Sequence, residues 1–239
     1  MSISKSDLRV LAIGFRYEKS FKLIDMIGET IERILRDSSS PFGTDFFPRY
    51  EDLGFEEKIL IGKNGTFLKI GASEIVLRYV LNKDAAFETE YAWFRNDAIA
   101  FIIDQILKVN QISEAIRIGI VFTHIVESKS ACSSIIDKLT DGTIRDADQF
   151  SLSFGKKDTA LEGWLKRQVD DYCNKVTLIR QIDNAKYDVT LDYQYYFSPY
   201  LNKLADWPIL DLLERAHSYL NASFYETINS LIPEGALTK

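Results

Sequence analysis

The chain has 239 residues, 46% hydrophobic, 13% aromatic and 27% charged, which is enough apolar material for a sizeable core and excludes general disorder. Its 29 Lys and Arg against 35 Asp and Glu leave a formal charge of −6 with no block of like charges, which disfavours a purely electrostatic nucleic-acid binder. Two cysteines, Cys132 and Cys173, and two histidines are too few for a disulfide framework or a Cys/His zinc site, so no metal and no cofactor are expected.

The opening MSISKSDLRVLAIGF holds no apolar run of signal-peptide length, and no stretch approaches the ~20 apolar residues that span a bilayer. The expectation is a soluble cytoplasmic protein in a reducing compartment, without a membrane partner.

Residues 8–17 (LRVLAIGFRY) are rich in strand formers and predict a sheet strand. The period then changes. Over 20–37, Phe21, Ile24, Ile27, Ile31, Ile34 and Leu35 recur every three or four residues, predicting a helix with Ser20 as its N-cap. The serine- and proline-containing stretch 38–50 (SSSPFGTDFFPRY) reads as a loop, yet Phe42, Phe46 and Phe47 are too apolar for water and should pack back on the body.

Residues 57–62 and 67–81 predict strands joined by Lys63-Asn64-Gly65-Thr66, where Asn-Gly supplies the positive φ angles of a type I′ hairpin. Gly71 marks a turn or bulge, which would make the second stretch two strands. A helix is expected over 90–110, where Trp93, Phe94, Ile99, Phe101, Ile102, Ile106, Leu107 and Val109 have helical spacing, and a β-branched strand at 117–127 (RIGIVFTHIVE).

In the second half a short helix at 130–139 is followed by a strand at 150–154 and a helix at 159–170. Strands at 175–182 and 187–197 flank an Asx-rich turn at 183–186. A long helix over 208–232 takes Pro208 in its first turn and ends at Pro233 and Gly235.

The order is β-α-β-β-(β)-α-β over residues 1–128 and β-α-β-β-α over 129–239, with no residue-level repeat. It predicts an α+β protein: an antiparallel sheet with helices on one face, built of two ferredoxin-like (βαββαβ-type) units that share a sheet as one globule, with a long C-terminal helix.

The strand RIGIVFTHIV, the segment SLSFGKK, the run VDDYCNKVTLIRQID followed by LDYQYYFSP, and the terminal LLERAHSYLNASFYETI are similar to a sporadically distributed bacterial family of uncharacterised cytosolic proteins of about this length. The likeness covers the second half best. It implies a bacterial cytosolic protein from a mobile or defence-type gene neighbourhood, and it implies no chemistry.

Nucleophilic hydrolysis needs a base beside a Ser or Cys, and only His124 and His217 qualify. His124 alternates with Phe122 and Val126 in an apolar strand, where a packed histidine is expected, and His217 reads as a helix-surface residue. Neither follows a G-x-S-x-G elbow, and neither is expected to be a general base. Asp170 and Asp171, adjacent in an extended segment, would point to opposite faces, while Asp188 and Asp192 flank a hairpin and are expected to be solvated. Gly62-Lys63-Asn64-Gly65 and Gly155-Lys156-Lys157 lack the phosphate-loop pattern.

The least ordinary feature is the aromatic run Tyr193, Tyr195, Tyr196, Phe197 and Tyr200. Along a strand Tyr193, Tyr195 and Phe197 share one face and Gln194 and Tyr196 the other, so one aromatic side is core and the other requires a cover. The resulting expectation is a non-enzymatic protein-interaction component of a bacterial cytosolic complex, with Gln194, Tyr196 and Tyr200 binding the protein partner. One alternative is a nucleic-acid-binding or processing protein on tandem ferredoxin-like units, using Lys156, Lys157, Lys166 and Arg167. Another is a small-molecule binder with a pocket between the Tyr-rich strand and the long helix.

Overall fold

A computed structural model describes residues 3–127, 140–143, 149–159, 170–183, 185–202 and 209–231. The helices expected at 130–139 and 159–170, with Lys166 and Arg167, lie outside the described residues.

The chain is α+β. Its strands are β1 (Leu8–Arg16), β2 (Arg49–Asp52), β3 (Glu57–Ile61), β4 (Phe67–Gly71), β5 (Glu74–Val80), β6 (Glu114–Glu127), β7 (Ser151–Asp158), β8 (Tyr172–Asp183) and β9 (Lys186–Asn202). All pair antiparallel in one nine-stranded sheet of order β2-β3-β4-β5-β1-β6-β9-β8-β7. Both halves of the chain therefore contribute to one sheet, joined where β6 pairs with β9 over the whole length from Glu127↔Lys186 to Glu114↔Asn202. At the far edge β7, β8 and β9 run as a meander, so β7 and β8 are direct neighbours.

Alternation decides which side is core. Leu11, Ile13 and Phe15 of β1, Ile118, Ile120 and Phe122 of β6, and Val189, Leu191, Tyr193, Tyr195 and Phe197 of β9 are all buried on one face. Helices cover that face. They are α1 (Phe21–Asp25), α2 (Ile27–Arg36), α3 (Phe87–Trp93), α4 (Ile209–Tyr219) and α5 (Tyr225–Leu231). α4 and α5 are linked by a π-helical segment, Leu220–Phe224, into one C-terminal run of about 23 residues. Ser20 caps α1 by accepting from the Leu23 amide at 3.2 Å, and the expected single helix breaks at Met26, whose φ of −99° and ψ of 7° are not helical.

After α3 the helix continues through two π-helical segments, Phe94–Ile99 and Ile102–Leu107. Beside Phe94 and Phe101, its buried residues come in pairs four apart: Ala98 and Ile99, Ile102 and Ile103, Ile106 and Leu107. At 3.6 residues per turn that stripe would creep around the axis, whereas wider turns keep it on one side. Phe42, Phe46 and Phe47 do pack back on this region, with Phe42 edge-on to Trp93 and Phe101 at 6.0 and 5.9 Å.

Two local expectations need correcting. Only Gly65 has positive φ (87°) in the β3–β4 turn, and the Gly62 amide donates to the Thr66 carbonyl at 2.7 Å. This is a three-residue loop closed by a left-handed glycine, with Asn64 used for its side chain, which accepts from the Thr66 amide and donates to the Val80 carbonyl. At the end of the stretch read as loop and just beyond it, residues 49–52 form β2, an exposed edge strand whose Arg-Tyr-Glu-Asp composition gives no alternation. Among the described residues no helix is long and apolar enough to cross a membrane.

Candidate partner-binding face

Side chains that point away from the helices form a second surface. Crossing the sheet one row at a time, this face presents Ala12, Arg78, Phe67, Ile61 and Arg49 in one direction from β1, and Val121, Asp192, Val176 and Gly155 in the other. The next row holds Gly14, Gly119, Gln194, Asn174 and Lys157; the last holds Glu74, Arg16, Arg117, Tyr196 and Tyr172. Most of the apolar members (Ile59, Ile61, Phe67, Val76, Val121, Ile125, Val176 and Leu178) are only half-buried. All the ring contacts that tie described helices to the sheet are made on the opposite face, by Tyr79, His124 and Tyr193.

The last row is an ordered ladder. Tyr172 and Tyr196, directly opposite on β8 and β9, stack with centroids 4.7 Å apart and planes 13° apart. The Lys157 ammonium lies 4.0 Å from the Tyr172 centroid, and the Arg117 guanidinium 5.9 Å from that of Tyr196. A second chain of contacts runs along β9, where the Tyr196 hydroxyl donates to Gln194 Oε1 at 2.8 Å and the Gln194 amide donates to Asp192. Burial raises the Asp192 carboxyl pKa, while that amide and the Arg117 charge pull the other way.

Of the residues singled out from the sequence, Gln194 and Tyr196 lie together on this face, half-buried and hydrogen-bonded to each other. Tyr200 lies in β9, with its side chain outside the described residues. Lys156 and Lys157 are both exposed but point to opposite faces of β7, so only Lys157 joins the ladder. Arg16, Arg117 and Tyr172 were missed. Their signal is register, which brings together residues about a hundred positions apart and is invisible along the chain.

The remaining candidates divide between the two sides: His124 and Tyr193 point to the helices, and Asp188, opposite Ile125, points to the second surface. His124 is fully buried; its Nδ1 donates to the Val189 carbonyl and its Nε2 accepts from the Tyr225 hydroxyl, each at 3.0 Å. Burial pulls its pKa down to about 4, against a smaller upward effect of the Val189 hydrogen bond. His217 is not a free surface residue: its ring packs 4.4 Å from Tyr91 and 5.7 Å from Phe87, and burial lowers its pKa. Asp188 is not solvated either. It is buried, accepting from Arg180 at 2.6 Å and from the Thr190 hydroxyl at 2.7 Å. Tyr193 packs on Tyr195 and on Tyr219 of α4 at 5.2 and 5.5 Å, so aromatic rings occupy the space between the Tyr-rich strand and the helix.

No protein-family model, curated protein or solved structure matches the chain.

Proposed function

We propose that the protein is a non-enzymatic interaction component of a bacterial cytosolic complex, of a mobile or defence-type system, and that it holds a protein partner on the face of its sheet that no described helix covers. One observation carries this reading. Tyr196 and Gln194 sit at the polar end of a broad, half-buried surface, with apolar members in its other rows, on which no described helix packs. A large surface of this composition on a folded chain is the usual mark of an interaction site. The order β6-β1-β5-β4 is that of a ferredoxin-like unit with the β2–β3 hairpin added, which supports the reading of the first half as such a unit.

The ladder argues against the alternative of a base-stacking nucleic-acid platform. Each tyrosine spends one ring face on the other and has a cation toward its second, leaving no open face for a base. The test is co-purification from the native host with wild type and Tyr196→Ala. The variant should lose the partner that wild type retains while its unfolding midpoint stays close to wild type. Retention of the same partner at the same yield would overturn the assignment of this face.

A further inference from the structure

Arg16 and Arg117 are directly opposite each other on neighbouring strands and project from the same face, on which no described helix packs. Like charges in that relation destabilise an antiparallel pair. The Tyr196 ring and the Asp192 charge bear on Arg117, and the chain as a whole carries six excess negative charges, yet the two arginines stand directly opposite each other. Among the described residues neither guanidinium forms an ion pair. Glu74 stands opposite Arg16 on its other side, but its carboxylate is held by Lys69.

The surroundings complete the site. Lys157, at the other end of the tyrosine ladder, adds a third cation, and the Tyr196 ring flanks Arg117. One row along, Gly14 and Gly119 face each other across the same two strands. A Cβ at Gly14 would meet Val76 Cγ2 at 3.7 Å and one at Gly119 the Asp192 carboxylate at 3.6 Å, both ordinary contacts, so the fold would accept side chains there; the glycines let a chain lie close to the sheet, with the Asp192 carboxylate at one side of its path.

We infer that Arg16 and Arg117 form a carboxylate-binding pair for an acidic side chain of the protein partner, whose backbone crosses the sheet above Gly14 and Gly119. This rests on the face away from the described helices being the partner surface. A guanidinium matches the geometry of a carboxylate with two parallel N–H donors, and two of them side by side can hold one anion from both flanks. Three cations on an acidic protein are too few for strong binding of a phosphate backbone, since each neutralised phosphate adds only one increment of counterion release. The closed ring faces remove the stacking that single-stranded nucleic acid would need.

The test uses a fluorescein-labelled hexaglutamate peptide, with hexaglutamine and a twelve-nucleotide oligouridylate as the other probes, in fluorescence anisotropy at low and at high salt. Hexaglutamate should bind and hexaglutamine should not, with affinity falling as salt screens the charges. Arg16→Gln or Arg117→Gln should weaken hexaglutamate at least tenfold, and Lys63→Gln, which removes an exposed charge from the distant β3–β4 loop, should leave it unchanged. Because each Gln variant relieves the repulsion between the pair, its unfolding midpoint should equal or exceed that of wild type. Three outcomes overturn the inference: hexaglutamate binding that survives the double variant, oligouridylate binding more tightly at the same arginines, or no hexaglutamate binding at all. If the double variant keeps the native partner while Tyr196→Ala loses it, only the carboxylate site fails. If both variants keep it, the partner face fails as well.

Discussion

The Tyr225 hydroxyl donates to His124 Nε2 at 3.0 Å, locking a fully buried imidazole in the tautomer that also donates from Nδ1 to the Val189 carbonyl. A proton added to Nε2 would oblige that hydroxyl to turn and accept, and would take from its own proton the acceptor it has now.

With the folded pKa near 4 and the unfolded value at 6.5, the unfolded chain takes up the extra proton first as pH falls. Stability should therefore decline between those two values, by about 3 kcal/mol in total, with no contribution from this residue above that window. Urea unfolding of wild type and His124→Gln from pH 7.5 to 4.5 would separate this effect from carboxylates common to both. Parallel profiles would refute it.

Phe224 is buried and packs 5.7 Å from the His124 ring, so Phe224→Ala should cost ~3–5 kcal/mol, the range for truncating a buried aromatic. Tyr196→Ala removes one stacked partner on the open face and should cost about 1 kcal/mol. Chemical denaturation of both compares them directly. Equal losses would mean that both faces of β9 are core.

The Cys173 thiol is buried, and burial pushes its pKa up to about 12, with a smaller opposing effect of its hydrogen bond with Tyr193. The thiolate is the reactive species, so iodoacetamide at pH 8 should leave Cys173 unmodified in the native protein and modify it fully in urea. Peptide mass mapping reads this out residue by residue. Rapid native labelling would reveal local opening of β8.

Asp188 is buried and accepts from Arg180 and Thr190. Arg180→Ala should destabilise by about 1–3 kcal/mol, because it leaves a buried carboxylate without its ion pair, and Asp188→Ala should do so by less, since Arg180 is largely exposed and the Thr190 hydroxyl keeps Thr123. Thermal melts of the two variants check the order.

Much of this architecture is legible in residue spacing. The alternation in RIGIVFTHIVE and in the Tyr193 to Phe197 run assigns core and open sides, and the stripe through Leu213, Leu220 and Phe224 marks the C-terminal helix. β2 escapes because an exposed edge strand has no buried face to impose a pattern. The Asn64-Gly65 turn misleads because Asn64 can serve through its side chain as readily as through its backbone. The open-face row is illegible for a deeper reason. Arg16, Arg117, Tyr196 and Tyr172 meet only through the register of four strands, and Tyr172 begins β8 three residues before its apolar pattern does.

The union of β6 with β9 also bears on how the chain is made. During synthesis β6 emerges well before the strand that will pair with its outer edge, and the intervening residues 128–185 must follow first. Until then Ile118, Ile120 and Phe122 lie on a strand with one row of unpaired amides and carbonyls, an invitation to bind a neighbouring nascent chain. A ribosome stalled in that interval would hold a sheet open along its middle.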